Sequence, residues 1–342
     1  MKILLGLSGG VDSAYAARLL IDEGHTVEGA ILVMHEHTEI AAAEAVARDL
    51  GIRLHIVDCT EPFDRIIKEN FVREYLGGRT PNPCILCNEQ VKFKYLHLYA
   101  KSHGFDKIAT GHYASIGSRD LGSGERLTLI KAEDSSKDQT YMLYRLSEEI
   151  LADTAFPLGN LTKDKVREGA RLSGISSADR KDSLEICFLP DGNYAEYIEK
   201  REGPSPQGNF IDQNGKILGT HKGIIRYTVG QRKGLGISLG ERAFVTAIDP
   251  IGNTVTLSPS MNGRQKITVS DLVFSGIKPE KFPMELELTV KLRYSAREEP
   301  VRALIESQSQ ATLIFDTPVK AAPGQSAVLY LDNAVAFGGI IG

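Results

Sequence analysis

The sequence contains no tryptophan and only four cysteines among its 342 residues. So few cysteines cannot form the disulfide framework of a small secreted protein. No apolar run approaches the ~18 residues that a membrane-spanning helix needs, and the N-terminus is too short and glycine-rich for a signal peptide. We therefore expect a cytoplasmic protein with reduced thiols and no membrane partner.

A strong excess of one charge is also absent, because the net charge is −4. This value argues against indiscriminate binding of nucleic acids, yet the net charge is −7 over residues 1–202 and +3 over residues 203–342. This asymmetry would let the basic half bind a polyanion while the acidic half carries out the chemistry. It is explained equally well if the surface charges of the two halves are unrelated to function. The hydrophobic fraction of 42% argues for a globular chain rather than a disordered one.

The front of the chain alternates short apolar runs with helical patterns. Because the runs are apolar throughout, they predict a parallel sheet covered by helices on both faces, hence a Rossmann-like α/β domain over residues 1–202. Strands are expected at residues 3–7, 26–34, 53–57 and 107–110, and helices at residues 12–23, 39–50 and 89–102. Residues 115–202 are expected to stay mostly helical.

The rear of the chain shows the period-two alternation of β-strands. A turn-rich stretch at residues 203–208 marks the boundary, and two hairpin patterns with Asn-Gly and Gly-Asn turns follow it. We expect a small β-rich central domain over residues 203–264 and a C-terminal antiparallel β-barrel over residues 265–342. One strand of this barrel is expected to span residues 286–294.

A glycine-rich loop, S-G-G-V-D-S from Ser8 to Ser13, joins the first strand to the first helix. Its glycines allow a tight turn, and the free amides at a helix N-terminus form an anion site. The two serine hydroxyls add donors, and Asp12 could hold a magnesium ion that bridges phosphates. The loop lacks the lysine of a Walker loop. It predicts phosphate binding, with a merely tight turn as the alternative.

Three cysteines are candidates for chemistry. Cys84 and Cys87 form a C-x-x-C pair, which suits half a zinc site, a redox pair or a buried structural dithiol. No second pair supplies further ligands, and His97 and His103 fit a helix more naturally. Cys187 lies between apolar residues and, from its own segment, suits core packing.

Other segments have the composition of ligand or RNA contacts. Gly111 and His112 follow the fourth strand, where ligands lie in open α/β sheets. The turn Lys137–Gln139 and a basic, glycine-rich loop at residues 226–236 suit contacts to nucleic acid, and the loop equally suits a solvated turn. In the barrel, Arg293 and Tyr294 belong to a basic strand.

Taken in order, these segments resemble the bacterial tRNA-specific 2-thiouridylases, which belong to the N-type ATP pyrophosphatases. The shared motifs run along nearly the whole chain: S-G-G-V-D-S, G-R-T-P-N-P-x-x-x-C-N, A-T-G-H-Y, K-D-Q-x-Y, F-P-L-G-x-L-T-K, D-S-x-x-I-C-F, Y-T-V-G-Q-R-K-G-L-G-I and P-G-Q-S. The resemblance implies thiolation of the wobble uridine in tRNAs for lysine, glutamate and glutamine. It also implies a cysteine desulfurase or sulfur-relay protein as partner.

The resemblance further implies roles for individual residues. ATP, with Mg²⁺, would adenylate the 2-carbonyl oxygen of the uridine. Cys187 would carry a persulfide, and Cys87 would act as nucleophile or resolving thiol and pair with Cys187 in a disulfide after turnover. The implied ATP-binding residues are Gly6, Leu7, Ser8, Gly9, Gly10, Val11, Asp12, Ser13, Leu32 and Gly111. The implied base and tRNA contacts are Asn82, Pro83, Cys84, His112, Lys137, Asp138, Gln139, Arg293, Tyr294 and Gln325.

This chain departs from the family at three places. Cys84 stands where many members have Asp, so Cys84, Cys87 and Cys187 could instead hold a [4Fe–4S] cluster as sulfur carrier. The stretch 33–41 is shorter than usual, and residues 294–296 differ from the usual barrel run. Two further alternatives stay open, namely adenylation-dependent transfer to an acceptor other than tRNA and a metal-carrying RNA-binding module without catalysis.

Overall fold

The computed structural model describes residues 1–121, 124–180, 186–237 and 242–342. Its strands are β1 (Lys2–Gly6), β2 (Thr26–Val33), β3 (Leu54–Asp58), β4 (Lys107–Thr110), β5 (Ser115–Asp120), β6 (Glu125–Ile130), β7 (Thr154–Ala155), β8 (Gly208–Ile211), β9 (Ile217–His221), β10 (Phe244–Asp249), β11 (Thr254–Ser258), β12 (Arg264–Phe274), β13 (Met284–Lys291), β14 (Glu299–Ile305), β15 (Gln310–Val319), β16 (Ser326–Leu331) and β17 (Ala334–Ile341).

The helices are α1 (Val11–Asp22), α2 (Ile40–Leu50), α3 (Thr60–Phe63), α4 (Glu69–Leu76), α5 (Pro83–Cys87), α6 (Lys94–Ser102), α7 (Thr140–Leu143), α8 (Glu148–Ala152), α9 (Lys163–Leu172) and α10 (Tyr194–Glu202). Two π-helical turns, Asp64–Lys68 and Asn88–Phe93, join α3 to α4 and α5 to α6. A 3₁₀ turn spans Ile224–Arg226.

The N-terminal domain is built on a five-stranded parallel sheet in the order β3-β2-β1-β4-β7. Leu4 and Leu5 of β1 are fully buried on opposite faces of this sheet, as expected for a strand covered on both sides. The strand order reverses between β1 and β4, so a ligand crevice is expected at their carboxyl ends. The predicted Rossmann-like fold is confirmed.

The central domain has a four-stranded sheet in the order β10-β11-β8-β9. Both predicted hairpins are present, because β8 pairs with β9 and β10 with β11 in antiparallel fashion. Phe210, Val245 and Val255 are fully buried and form the core of this small sheet. A parallel pairing of β8 with β11 joins the two hairpins.

The C-terminal domain is a closed antiparallel barrel of six strands in the order β12-β15-β14-β13-β16-β17. Pairing of β12 with β17 closes the barrel and leaves it without free edges. This part of the fold was also predicted correctly. The expected strand over residues 286–294 is wrong at its end, because β13 stops at Lys291 and Arg293 and Tyr294 lie in the loop beyond it.

The expectation that residues 115–202 are mostly helical is wrong at its beginning. There β5 and β6 form an antiparallel hairpin, and Ile130 of β6 pairs with Ala334 of β17. The hairpin therefore extends the barrel's sheet from the N-terminal domain. Thr128 is fully buried in β6 and donates from Oγ1 to the carbonyl oxygen of Val335 at 2.7 Å. Because Thr128, Leu129 and Ile130 of β6 are all buried, the strand lacks the alternation of polar and apolar residues by which strands are predicted from sequence.

Candidate active site

The loop between β1 and α1 is folded around the hydroxyls of its two serines. The Oγ atoms of Ser8 and Ser13 lie 3.2 Å apart, and the amide of Ser8 donates to Ser13 Oγ at 3.2 Å. Within the described residues, no side chain caps α1, whose N-cap is Gly10. Uncapped amides in the first turn of a helix attract anions. The remaining residues predicted to bind ATP here, Gly6, Leu7, Gly9 and Val11, form the end of β1, the turn and the start of α1.

The end of β4 packs directly against this loop. A Cβ on Gly111 would lie 2.6 Å from the backbone nitrogen of Ser13 and 2.7 Å from the carbonyl carbon of Asp12. Only glycine permits so close an approach without a shift of the backbone. The structure therefore brings together two motifs that the sequence separates by about a hundred residues, at the crevice predicted by the strand order.

A cation that we did not predict completes the loop. The Nζ atom of Lys163, from the first turn of α9, lies 2.8 and 2.7 Å from the two carboxylate oxygens of Asp12. Tyr113 also donates from its hydroxyl to Asp12 at 2.8 Å. Asp12 was expected to hold magnesium, but a carboxylate engaged in this way does not fit a magnesium site as it stands. Lys163 belongs to the F-P-L-G-x-L-T-K motif, which was the only sequence signal for it.

The C-x-x-C motif opens a long helical run. Asn82 caps α5 by accepting a hydrogen bond from the amide of Cys84 at 3.2 Å, and Pro83 occupies the first turn. Cys84 is exposed, whereas Cys87 is buried and its Sγ lies 3.8 Å from Sδ of Met34. Met34 follows β2, in which Leu32 was predicted to lie beside the nucleotide. The buried thiol therefore faces the end of a strand that borders the crevice.

Lys92 is a second cation that sequence reasoning missed. Burial raises the pKa of Cys87 to about 12, and the charge of Lys92 opposes this shift. Partial desolvation also raises the pKa of Cys187, although that residue is exposed, and Lys92 again opposes the shift. Burial alone lowers the pKa of Lys92, but Cys87, Cys84 and Cys187 raise it, and the net shift is upward. The three cysteines and Lys92 thus form one electrostatic group.

His112 connects this group to the loop. It directly follows Gly111, its Nδ1 lies 2.8 Å from Oγ1 of Thr110, and its ring packs against Phe93 and Phe156. Burial, with a smaller contribution from Lys92, lowers the pKa of His112 to about 3. The imidazole is therefore neutral at physiological pH and can act through hydrogen bonding or stacking rather than through charge.

The residues predicted to contact tRNA divide into two groups. Asp138 is buried and accepts hydrogen bonds from the amide of Ala132 and the hydroxyl of Thr140, while Gln139 Oε1 accepts from the amide of Tyr113. Both therefore shape the turn that carries the partly exposed Lys137. Arg293 and Tyr294 are exposed in the barrel loop.

These two groups are neighbours in space. The Tyr294 ring lies 6.1 Å from the ring of Tyr141. Partial desolvation, with the nearby charge of Asp138, raises the pKa of Tyr294, although the residue is exposed. Gln325, the last predicted contact, donates from Nε2 to the carbonyl oxygen of Thr80. Contact of any of these residues with tRNA stays a prediction.

All four cysteines are free thiols. In the part of the chain that the structure describes, no three His, Cys, Asp or Glu side chains are grouped closely enough to hold a metal ion. The arrangement of Cys84, Cys87 and Cys187 therefore does not fit a preformed [4Fe–4S] site. The Asp-Ser pair of the D-S-x-x-I-C-F motif lies outside the described residues. Every described helix is too short or too polar to cross a membrane.

The fold and the site define a class of protein: a Rossmann-like α/β domain with a glycine-rich loop and an uncapped helix N-terminus at its switch point, followed by two β domains. Residues 1–191 match a family described as tRNA methyl transferase HUP domain. Residues 195–259 match its PRC-barrel domain, and residues 264–341 match an aminomethyltransferase beta-barrel domain.

Full-length relatives identify the family. The chain is 42% identical to the tRNA-specific 2-thiouridylase MnmA of Clostridium perfringens, over 99% of this chain and 98% of the relative. It is 41% identical to the protein of the same name from Acetivibrio thermocellus, over 99% of each chain. The chain belongs to the tRNA-specific 2-thiouridylase family. Among solved structures, a 4-thiouridine synthetase–RNA complex with bound ATP aligns with 58% of this chain and 50% of that chain, at 20% identity and a TM-score of 0.38.

Proposed function

We propose that this protein uses ATP to replace the 2-oxygen of the wobble uridine with sulfur in tRNAs for lysine, glutamate and glutamine. The observation that carries the proposal is that the end of β4 contacts both the glycine-rich loop and the helical run that bears Cys84 and Cys87. Gly111 packs on the loop at Ser13, and the ring of the next residue, His112, lies 5.6 Å from that of Phe93 in the helical run that follows Cys87. Activation and sulfur transfer can therefore take place in one crevice.

The loop and Lys163 suit the activation step. The carbonyl oxygen of the uridine would attack the α-phosphorus of ATP, forming an oxygen–phosphorus bond while the bond to pyrophosphate breaks. The first-turn amides of α1 and the hydroxyls of Ser8 and Ser13 supply donors for the departing pyrophosphate. Because Lys163 already neutralises Asp12, anions meet little repulsion from that carboxylate.

The two cysteines suit the sulfur-transfer step. The terminal sulfur of a Cys187 persulfide would bond to carbon 2 of the uridine as AMP leaves with the oxygen. The thiolate of Cys87 would then attack Sγ of Cys187, which forms a Cys87–Cys187 disulfide and leaves the outer sulfur on the base. A thiol reductant regenerates both cysteines, and a cysteine desulfurase or relay protein supplies the next sulfur. Exposure of Cys187 suits delivery by a partner, whereas burial of Cys87 suits a resolving thiol.

The test compares Cys187→Ser with the wild-type protein in the presence of ATP, tRNA and a persulfide donor. Pyrophosphate release and 2-thiouridine are measured together, by an enzymatic assay and by mass spectrometry of digested tRNA. We expect tRNA-dependent pyrophosphate release in both proteins and 2-thiouridine only in the wild type. Cys59→Ala, which alters a buried thiol outside the proposed transfer, is the matched control and should still thiolate.

Three outcomes would contradict parts of the proposal. Unchanged thiolation by Cys187→Ser would remove that residue from the pathway. Pyrophosphate release that needs no tRNA would favour another acceptor. About four irons per chain in protein purified without oxygen, lost in Cys84→Ser, would replace the persulfide with a cluster as sulfur carrier.

A further inference from the structure

The segment that leads into the C-x-x-C helix is held by the C-terminal barrel. The amide of Thr80 donates to the carbonyl oxygen of Pro323 at 2.9 Å, and Nε2 of Gln325 donates to the carbonyl oxygen of Thr80 at 2.7 Å. Both backbone polar groups of Thr80 are thus bonded by one loop of the barrel, which comes more than two hundred residues later in the chain. We call residues 321–325 the barrel clamp.

Close packing accompanies these hydrogen bonds. Gly324 has a φ of +88°, and a Cβ there would lie 2.9 Å from the backbone nitrogen of Thr80 and 3.0 Å from Cβ of Arg79. The clamp is itself fixed to the last strand of the barrel, because Gly324 donates to the carbonyl oxygen of Ile341 and Ile341 donates to that of Gln325. A loop tied to the sheet in this way can hold another backbone segment in place.

A second contact ties the same helical run to the barrel on the far side of its cysteines. Arg145 donates from Nε to Glu89 at 2.6 Å and from a terminal nitrogen to Asp271 of β12 at 2.9 Å. Glu89 lies in the π-helical turn that follows Cys87. The helix with the two cysteines is therefore fastened to the barrel before Cys84 and after Cys87.

We propose that the barrel clamp positions residues 82–84 for the target base, and that Gln325 acts on the reaction through Thr80. Thr80 lies two residues before Asn82, which caps the helix at Cys84. Release of Thr80 would therefore misplace the cap and the exposed thiol. This inference rests on the proposed thiolation for its catalytic consequence, whereas the clamp itself can be tested without that activity.

The experiment compares Gln325→Ala and the isosteric Gln325→Glu with Gln265→Ala in the full-length protein. Gln265 is a matched control, because its Nε2 also donates to a backbone carbonyl, that of Asp316 at 3.0 Å, rather than to that of Thr80. Hydrogen exchange at the amide of Thr80 reports on the clamp. The dissociation constant for unmodified tRNA and the kcat for thiolation report on its role.

For both Gln325 variants we expect Thr80 to exchange about 3- to 10-fold faster and kcat to fall by a similar factor, as for loss of one hydrogen bond. The dissociation constant for tRNA should stay unchanged, and Gln265→Ala should match the wild type in all three measurements. Unchanged exchange would overturn the clamp. A weaker tRNA complex with unchanged kcat, worst for Gln325→Glu because its charge would repel phosphate, would make Gln325 a tRNA contact. If the wild type fails to thiolate tRNA, hydrogen exchange at Thr80 still tests whether Gln325 holds this segment in place.

Discussion

Lys92 places a positive charge beside thiols whose pKa values are raised by burial, and it opposes that rise. Its position explains why the sequence did not reveal it. A residue five positions after Cys87 on an α-helix would lie about 140° away around the axis. The π-helical turn Asn88–Phe93 widens the helix and pairs positions five apart, which brings Lys92 towards the cysteine side.

Replacement of Lys92 by methionine should make the thiols less reactive. Because Lys92 lowers the pKa of both Cys87 and Cys187, its loss should raise them further, by about one unit for a nearby charge. We expect iodoacetamide at pH 8 to modify Cys187 about tenfold more slowly in Lys92→Met, as followed by mass spectrometry of the intact protein. Lys92→Arg keeps the charge and should stay close to the wild type. Equal rates for Lys92→Met and wild type would contradict this role.

His112 should make the fold sensitive to mild acid. Its folded pKa of about 3 lies below the unfolded value of ~6.5, so the unfolded chain binds the extra proton between these values. Stability that is fully present above pH 6.5 is therefore lost as the pH falls towards 3. Between pH 7 and pH 5 the wild type should lose about 2 kcal/mol more unfolding free energy than His112→Asn, as measured by urea titration. An equal loss in both proteins would disprove the assignment.

At the scale of elements, the fit between β4 and α1 predicts that Gly111→Ala damages the ATP site. The added Cβ would lie 2.6 Å from the amide nitrogen of Ser13, so the first turn of α1 must move. We expect a loss of about 1–3 kcal/mol in stability, typical of overpacking, and about tenfold weaker ATP binding by calorimetry.

Gly77→Ala is the control for this substitution. A Cβ at Gly77 would meet nothing closer than 3.4 Å, which is ordinary contact. This variant should bind ATP like the wild type. Wild-type affinity in Gly111→Ala would instead show that the end of β4 does not border the nucleotide.

Local sequence patterns predicted two kinds of element: strands that are apolar along their whole length, and hairpins in which buried and exposed residues alternate. The apolar runs of β1 to β4 and the turns of the two central hairpins appear where expected. The hairpin of β5 and β6 was missed because its last residues are buried on both faces, so that Thr128 and Leu129 are equally hidden. That burial comes from the barrel, which no local window of the sequence contains.

The site was predictable only where a motif is contiguous. The sequence indicated the loop at Ser8, the cysteine pair and Gly111 as candidates, because backbone geometry and thiol chemistry depend on residue type at short spacing. Lys163 was missed because its role depends on a contact with Asp12 across 151 positions. The intramolecular bond of Gln325 was missed for the same reason, since folding alone decides which distant backbone it meets.

At the scale of the whole molecule, the N-terminal domain and the barrel share one hydrophobic core. Leu4 of the parallel sheet and Leu129 of the hairpin belong to the same cluster of buried residues as Val328, Tyr330 and Val335 of the barrel. Polar contacts follow the same boundary, because Tyr141 donates from its hydroxyl to the backbone of Ser326 at 2.9 Å. The barrel is therefore structurally continuous with the N-terminal domain.

This shared core predicts that the N-terminal domain and the barrel unfold together. In calorimetry, the full chain should show one transition for both, since a core that spans two layers cannot lose one layer and keep the other. A chain that ends at residue 263 would expose the surface around Leu129 and should unfold at a much lower temperature or fail to fold. Val335→Ala should lower the free energy of unfolding by about 2 kcal/mol, because its fully buried side chain contributes to the common core. The variant should still unfold in one transition. A separate barrel transition in the full chain, or a truncated chain as stable as the whole, would show instead that the two parts fold independently.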